Sequence, residues 1–321
     1  MVGGVKPTLK RSELPGAGVH RVVGGLIGQA LGEERDGEGP EHVHGLRTTI
    51  KRLRAYLQLV RSRLEEAYYF ERNAALRESA QGLAHFRDRA VILQTADELL
   101  GGAKKPVLRV ALAEMWEFLN RTLPEAGAAE TIGRAAQEAE ATLVAMGASF
   151  EGQALEASGW KLLQGGLRRT YRKARRLMRR WRESGRIEDA HEWRKFSKYL
   201  MFQIQLVERA WPDHLRKVRR RLGRLETYLG KANDLDMLEE AFLAMAPECD
   251  MDTDACREVR NAIARRRRFL IQQAGKLGDK IFAEQPKDFV DEIRKRWRRW
   301  NRGRRGCGRK QAAGGLADVG G

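Results

Sequence analysis

Two segments of this chain place a histidine, an arginine and a lysine at one shared spacing. His44-Gly-Leu-Arg47-Thr-Thr-Ile-Lys51 and His191-Glu-Trp-Arg194-Lys195-Phe-Ser-Lys198 both read H-x-x-R-x-x-x-K, 147 positions apart. At 3.6 residues per helical turn, His44, Arg47, Lys51 and Arg54 fall within roughly 80° of arc, and His191, Arg194, Lys195 and Lys198 occupy the corresponding arc. A third segment is denser in charge. Arg168, Arg172, Arg175, Arg179 and Arg182 form one row at helical spacing, and Arg169, Lys173, Arg176 and Arg180 form its neighbour. No carboxylate lies between 168 and 182 to neutralise them through i, i+4 pairing. Guanidinium forks bind phosphate-like oxygens bidentately, and ammonium groups act on them as point charges. A histidine in such a row donates hydrogen bonds at neutral pH and gains charge beside an anion. The chemistry these groups can do is to hold a polyanion.

The whole chain leans the same way. Its 321 residues carry 61 Lys+Arg against 43 Asp+Glu, a formal charge of +18, which calls for an anionic partner. Up to Trp160 there are 20 basic and 21 acidic residues; beyond it there are 41 and 22, so the positive field belongs to the second half. There it clusters at 168–182, 216–224 (with Arg216 and Arg220), 265–268 and 294–310. Cys249, Cys256 and Cys307 fit neither a disulfide framework nor a metal knuckle, which points to a reducing compartment and no structural zinc. The weakly apolar stretch from Val19 to Leu31 is interrupted by His20, Gly24, Gly25 and Gly28, so neither a signal peptide nor a membrane span is expected. The expectation is a soluble cytoplasmic protein without cofactor or metal.

The elements that must position these side chains are helices. Prolines number only eight, and apolar residues recur at three and four positions through most of the chain. The pattern predicts helices near 41–66, 69–83, 88–100, 105–122, 129–147, 162–183, 188–210, 213–229, 234–246, 252–283 and 286–300. Short connections between them imply antiparallel bundles. Leu46, Ile50, Leu53, Leu57, Val60 and Leu64 form the apolar stripe beside the first basic row; Trp193, Phe196, Leu200, Ile204 and Val207 do so beside the second. Downstream of the histidines, at 44 and 43 residues, come Leu83-Ala-His-Phe-Arg87-Asp88 and Leu229-Gly-Lys-Ala-Asn233-Asp234. Two motifs repeated at nearly one offset, 147 and 146 positions, indicate a duplicated helical unit. The expected organisation is an extension over 1–17, helical halves over 18–155 and 156–301, and a basic disordered tail over 302–321. Asp88 and Asp234 read as helix N-caps or partners of buried arginines rather than catalytic groups.

These residues carry a family resemblance. The two H-x-x-R-x-x-x-K motifs, the run Lys51-Arg52-Leu53-Arg54, the Arg87-Asp88 and Asn233-Asp234 pairs, and GLRRTYRKARR at 166–176 resemble the CHAD domain, the conserved histidine α-helical domain, over roughly 18–300. The resemblance implies an all-α fold of two pseudo-twofold-related bundles around a basic pore or cleft. It also implies noncatalytic binding of inorganic polyphosphate and association with polyphosphate granules. The binding set it implies is His44, Arg47, Lys51, Arg52, Arg54, Arg168, Arg169, Arg172, Lys173, Arg175, Arg176, Arg179, Arg180, His191, Arg194, Lys195, Lys198, Arg216 and Arg220. The first 40 residues are too short for the triphosphate-tunnel domain many relatives carry and contain no E-x-E-x-K, so triphosphatase activity is not implied. Met201 stands where the first copy has Arg54, so the two copies need not bind alike.

Each signal also has a plainer meaning. A histidine bordering an apolar stripe often serves packing, and a charge run is ordinarily a solvated face. The competing function is a nucleic-acid-binding helical protein, since +18 attracts any polyanion. Against it, Trp160, Trp181 and Trp193 fall at core phases rather than on a stacking platform. An enzyme using His44 or His191 in phosphoryl transfer would need a Walker loop or carboxylates at metal spacing, and neither is present in the sequence. No membrane binding is expected, because packing within the bundles consumes the apolar faces.

Overall fold

The glycine-broken stretch near the N-terminus is a helix. Val19, Val22, Val23, Leu26, Ile27 and Ala30 recur at three and four positions and are all buried, so packing outweighs the cost of the glycines in α1 (Pro15–Gly32). The computed structural model describes residues 6–11, 13–32, 40–84, 88–124, 129–155, 159–245 and 251–301. Ten further α-helices follow: α2 (Pro40–Val60), α3 (Glu66–Gly82), α4 (Asp88–Gly101), α5 (Pro106–Thr122), α6 (Ala129–Glu151), α7 (Lys161–Ser184), α8 (Ile187–Val207), α9 (Pro212–Met245), α10 (Thr253–Ile281) and α11 (Pro286–Asn301). Among the described residues there is no strand, so the architecture is all-α, as expected. No described helix is long and apolar enough to cross a membrane. Arg87, Cys249, Cys307 and the tail from Arg302 lie outside the described residues.

The duplication is visible in the element boundaries. Both ends of α2 and α8 are 147 positions apart, and so are the single 3₁₀ turns that follow them, Arg61–Arg63 and Glu208–Ala210. The copies diverge next. Where the first has α3 and α4 as separate helices, the second has the continuous α9, so Asp234 lies inside a helix and cannot be an N-cap, whereas Asp88 does open α4. The stretch 230–233 between the two expected helices contains one glycine, Gly230, and no proline, and α9 runs through it unbroken.

Two hydrophobic cores result, each drawing on both sides of residue 155. One joins α1, α2, α3 and α6 to α7, α8, the first half of α9, the end of α10 and α11; the other joins α4 and α5 to the second half of α9 and the earlier part of α10. Trp193 is fully buried and stacks on Trp181 with centroids 5.2 Å apart, and Trp160 is buried against Trp297. The buried Gln203 of α8 donates to Ala55 O of α2 at 2.9 Å, tying the two motif helices together. Gly185, at φ +63°, ends α7 with its N–H on Trp181 O at 2.8 Å, and the tight turn lays α8 back along α7.

The closest approach of α2 to α7 is at Gly166, where a Cβ would stand 1.9 Å from the Leu59 carbonyl oxygen. Backbone cannot yield as a flexible side chain can. Gly166→Ala is therefore expected to cost about 3 kcal/mol of stability in urea unfolding; a change within about 0.5 kcal/mol, the scale of ordinary surface substitutions, would show that the helices are not held this closely.

Candidate anion-binding site

The two H-x-x-R-x-x-x-K motifs meet across the α2–α8 packing. Lys51 of α2 and His191, Arg194, Lys195, Lys198 and Tyr199 of α8, with Asn233 of α9, line a cavity of about 290 Å³. Its main counter-ion is Glu226 on α9, whose Oε1 accepts from Arg194 Nη2 at 2.8 Å and Lys198 Nζ at 3.0 Å. Burial alone would raise the Glu226 pKa, but Arg194 and Lys198 outweigh it and hold the carboxyl below its ordinary range. Lys195 pairs with Glu192, one turn back on α8. Gly230 makes room for the site, since a Cβ there would stand 3.0 Å from Arg194 Nη2.

Lys51 feels the excess charge most. Desolvation, then Lys198, Arg47 and Arg194, push its pKa down from 10.5 to about 7. Arg47 is anchored, donating to Leu83 O at 2.8 Å and Ala84 O at 3.3 Å past the end of α3. In the second copy Gly230, the counterpart of Ala84, lies against Arg194. His44 is exposed on α2 and is not among the cavity's lining residues, so the two histidines differ in setting.

The basic track continues along α2. Arg54 donates from Nε to Asn73 Oδ1 at 3.1 Å and lies within electrostatic reach of Tyr199 and Tyr69. Arg61 lies over the Tyr69 ring at 4.4 Å. Arg169, from α7, reaches the same place: desolvation and then Arg61 lower its pKa, and its Nε and Nη2 are buried without a hydrogen-bond partner among the described residues. A buried guanidinium left short of acceptors beside a second guanidinium is an arrangement that an anion would complete. On the α7–α8 side, Lys173 sits 5.6 Å from the Phe196 ring centre, with its pKa lowered by desolvation and then by Arg176.

The nine cations of α7 do not share this face. Arg169 and Lys173 point to α2 and α8, and Arg180 also turns to α8, where its Nε meets Asp189 at 2.8 Å. The opposite flank packs on the last two helices. Arg168 lies 3.9 Å from Asp291; Arg175 donates to Phe282 O at 3.0 Å and Gln285 Oε1 at 2.7 Å; Arg182 reaches Asp279 at 2.7 Å. Arg172, Arg176 and Arg179 are exposed between the two flanks. Arg52 turns away from Lys51 and lies over the Phe202 ring at 5.4 Å. Arg216 stands 3.6 Å from Glu208, apart from the Lys51 cavity, and Arg220 is exposed on α9. The structure thus gathers Lys51, His191, Arg194, Lys195 and Lys198 at one place and leaves Arg168, Arg175 and Arg216 at others.

Glu226, Tyr199, Gly230, Arg61 and Tyr69 belong to the site although no basic motif contains them. Glu226, Gly230 and Asn233 do carry a signal, since their spacing of four and three puts them on one helical face. Among the described residues, no group of three or more His, Cys, Asp or Glu is placed to hold a metal ion.

This geometry can be set beside known proteins. A family model described as CHAD domain matches residues 22–243, well over half of the chain. The chain belongs to the CHAD family. The CHAD match spans every residue that lines the Lys51 cavity and leaves α10 and α11 outside. The fold extends further than the match. The crystal structure of the CHAD domain from the plant Ricinus communis aligns with a TM-score of 0.55 at 17% identity, covering 92% of this chain and 95% of that one. No curated protein matches the chain.

Proposed function

We propose that this CHAD protein is a noncatalytic receptor for inorganic polyphosphate, held in the basic cleft between α2, α8 and α7. The observation that carries the reading is the meeting of the two motif helices at one cavity, where Lys51 faces His191, Arg194, Lys195 and Lys198, Arg47 adds its charge from the same helix, and Glu226 is engaged by Arg194 and Lys198. Like charges packed this closely repel; a chain of phosphates relieves the repulsion by supplying a negative charge at every step. The track through Arg54 to Arg61 and Arg169 suits a long polymer better than a single phosphate. Glu226 acts as a counter-ion rather than a base, since both cations it binds hold it ionised. Association with polyphosphate granules in the cytoplasm follows as the cellular form of the same property.

Binding is expected to be strongly salt-dependent, with the logarithm of affinity falling linearly with the logarithm of salt, as it does for other linear polyanions. The test is a titration of purified protein with long-chain polyphosphate across a salt series, with duplex DNA and RNA as competitors at equal phosphate concentration. Polyphosphate should win at physiological salt. Equal or better competition by either nucleic acid would replace this reading with a nucleic-acid-binding one.

A further inference from the structure

The Lys51 amine sits in a setting that no exposed lysine among the described residues shares. Arg47 on its own helix, His191, Arg194, Lys195, Lys198 and Tyr199 on α8, and Glu226 on α9 are the titratable groups around it. Glu226 is engaged by Arg194 and Lys198. Burial and like charge both favour the unprotonated amine, so its lone pair is available near neutral pH, while the arginines beside it stay charged. The cavity, at about 290 Å³, has room for a small molecule. Cations that attract an anion and a neutral primary amine among them are together what a reaction with an anionic acyl donor requires.

We propose that Lys51 is a modification site for small acyl phosphates, whose phosphoryl group is captured by Arg194 and Lys198 while the Lys51 amine attacks the adjoining carbonyl carbon. The inference rests on the anion-binding reading of the same cleft. In the step, the Nζ lone pair forms an N–C bond and the carbonyl-to-phosphate C–O bond breaks with its electron pair. Phosphate leaves and takes up the proton that the amine nitrogen gives up, so an amine and an acyl phosphate become an amide and hydrogen phosphate. No oxidant or further reactant is needed. The amide cannot be protonated, so acylation removes the central cation of the cleft and lowers its affinity for a polyanion. The same cluster then both binds and regulates: an occupied cleft shields Lys51, and an empty one exposes it.

The test is timed acetylation of the full-length protein with acetyl phosphate at pH 7.5, followed by peptide mass spectrometry, with the exposed Lys104 and Lys287 as internal references. Lys51 is expected to react on the order of tenfold faster than either. Excess inorganic phosphate should slow Lys51 and leave the references unchanged, and the preference for Lys51 should shrink with a neutral acetylating ester that the cations cannot capture. Reaction at the pace of Lys104, or a Lys51 rate indifferent to phosphate, overturns the inference. Failure here is separable from failure of the receptor reading. Fast, phosphate-sensitive labelling in a protein that does not retain polyphosphate would leave this inference standing alone, and tight polyphosphate binding with a sluggish Lys51 would remove only this inference.

Discussion

Lys51→Met is expected to make the protein more stable and a poorer binder at the same time. Methionine fills a similar volume without carrying charge into a half-buried site ringed by Arg47, Arg194 and Lys198. Removing a buried charge that lacks adequate compensation stabilises; the gain at pH 7 should be on the order of 1–2 kcal/mol, well under what the full pKa displacement would give, because water enters the cavity. Polyphosphate affinity should fall about tenfold or more, the scale of a lost charge-assisted hydrogen bond. The pH dependence identifies the cause. Lys51 is held near 7 in the folded protein against 10.5 unfolded, so between those values the unfolded chain binds more protons and stability rises with pH. The advantage of the methionine variant should therefore be greatest at pH 7 and below and fade toward pH 10. Binding has the opposite slope: bound phosphate raises the Lys51 pKa, complexation takes up a proton, and wild-type affinity should drop as pH climbs from 7 to 9, with the variant flatter. Thermal unfolding and polyphosphate titration at pH 7, 8 and 9 measure both. A less stable variant, or one with wild-type affinity and slope, would show that Lys51 is a packing residue.

What could be read beforehand, and what could not, divides along local and long-range lines. The motif helices were legible because H-x-x-R-x-x-x-K keeps one phase with the apolar stripe beside it; α8 ends at Val207 with its stripe, whereas α2 ends at Val60, short of Leu64, in a 3₁₀ turn. Trp193 was legible as core for the same reason, at 0% exposure. The centre of the site was not. The recurring histidine draws the eye, yet the charge conflict centres on Lys51, and that depends on how α8 lies across α2, a packing tied by Gln203 to Ala55 O. Helix α1 was hidden because its glycines suppress helix propensity while its apolar period survives. The break expected between 229 and 234 does not occur, since α9 runs unbroken from Pro212 to Met245.

The division of α7 has the same origin, and it yields the sharpest test of an organised site. A wheel drawn from sequence shows a broad cationic arc; only α10 and α11, whose partner groups lie about 110 positions further along the chain, determine which cations are already engaged. Three double variants remove the same charge from its three faces. Arg169→Gln with Lys173→Gln, facing α2 and α8, is expected to cost about tenfold or more in polyphosphate affinity and little stability, since both groups carry unfavourable desolvation. Arg168→Gln with Arg175→Gln, facing α10 and α11, should unfold more easily by about 1–3 kcal/mol, because the Phe282 carbonyl and Gln285 lose their donor, with affinity nearly kept. Arg172→Gln with Arg179→Gln, on the outer arc, should alter stability least and affinity only through the general field, an effect that salt screens away. Net charge falls equally in all three. If the three affinities fall together, binding reflects diffuse charge and the cleft has no privileged cations; if only the first pair loses the polymer, the side of α7 that meets α2 and α8 is where it is held.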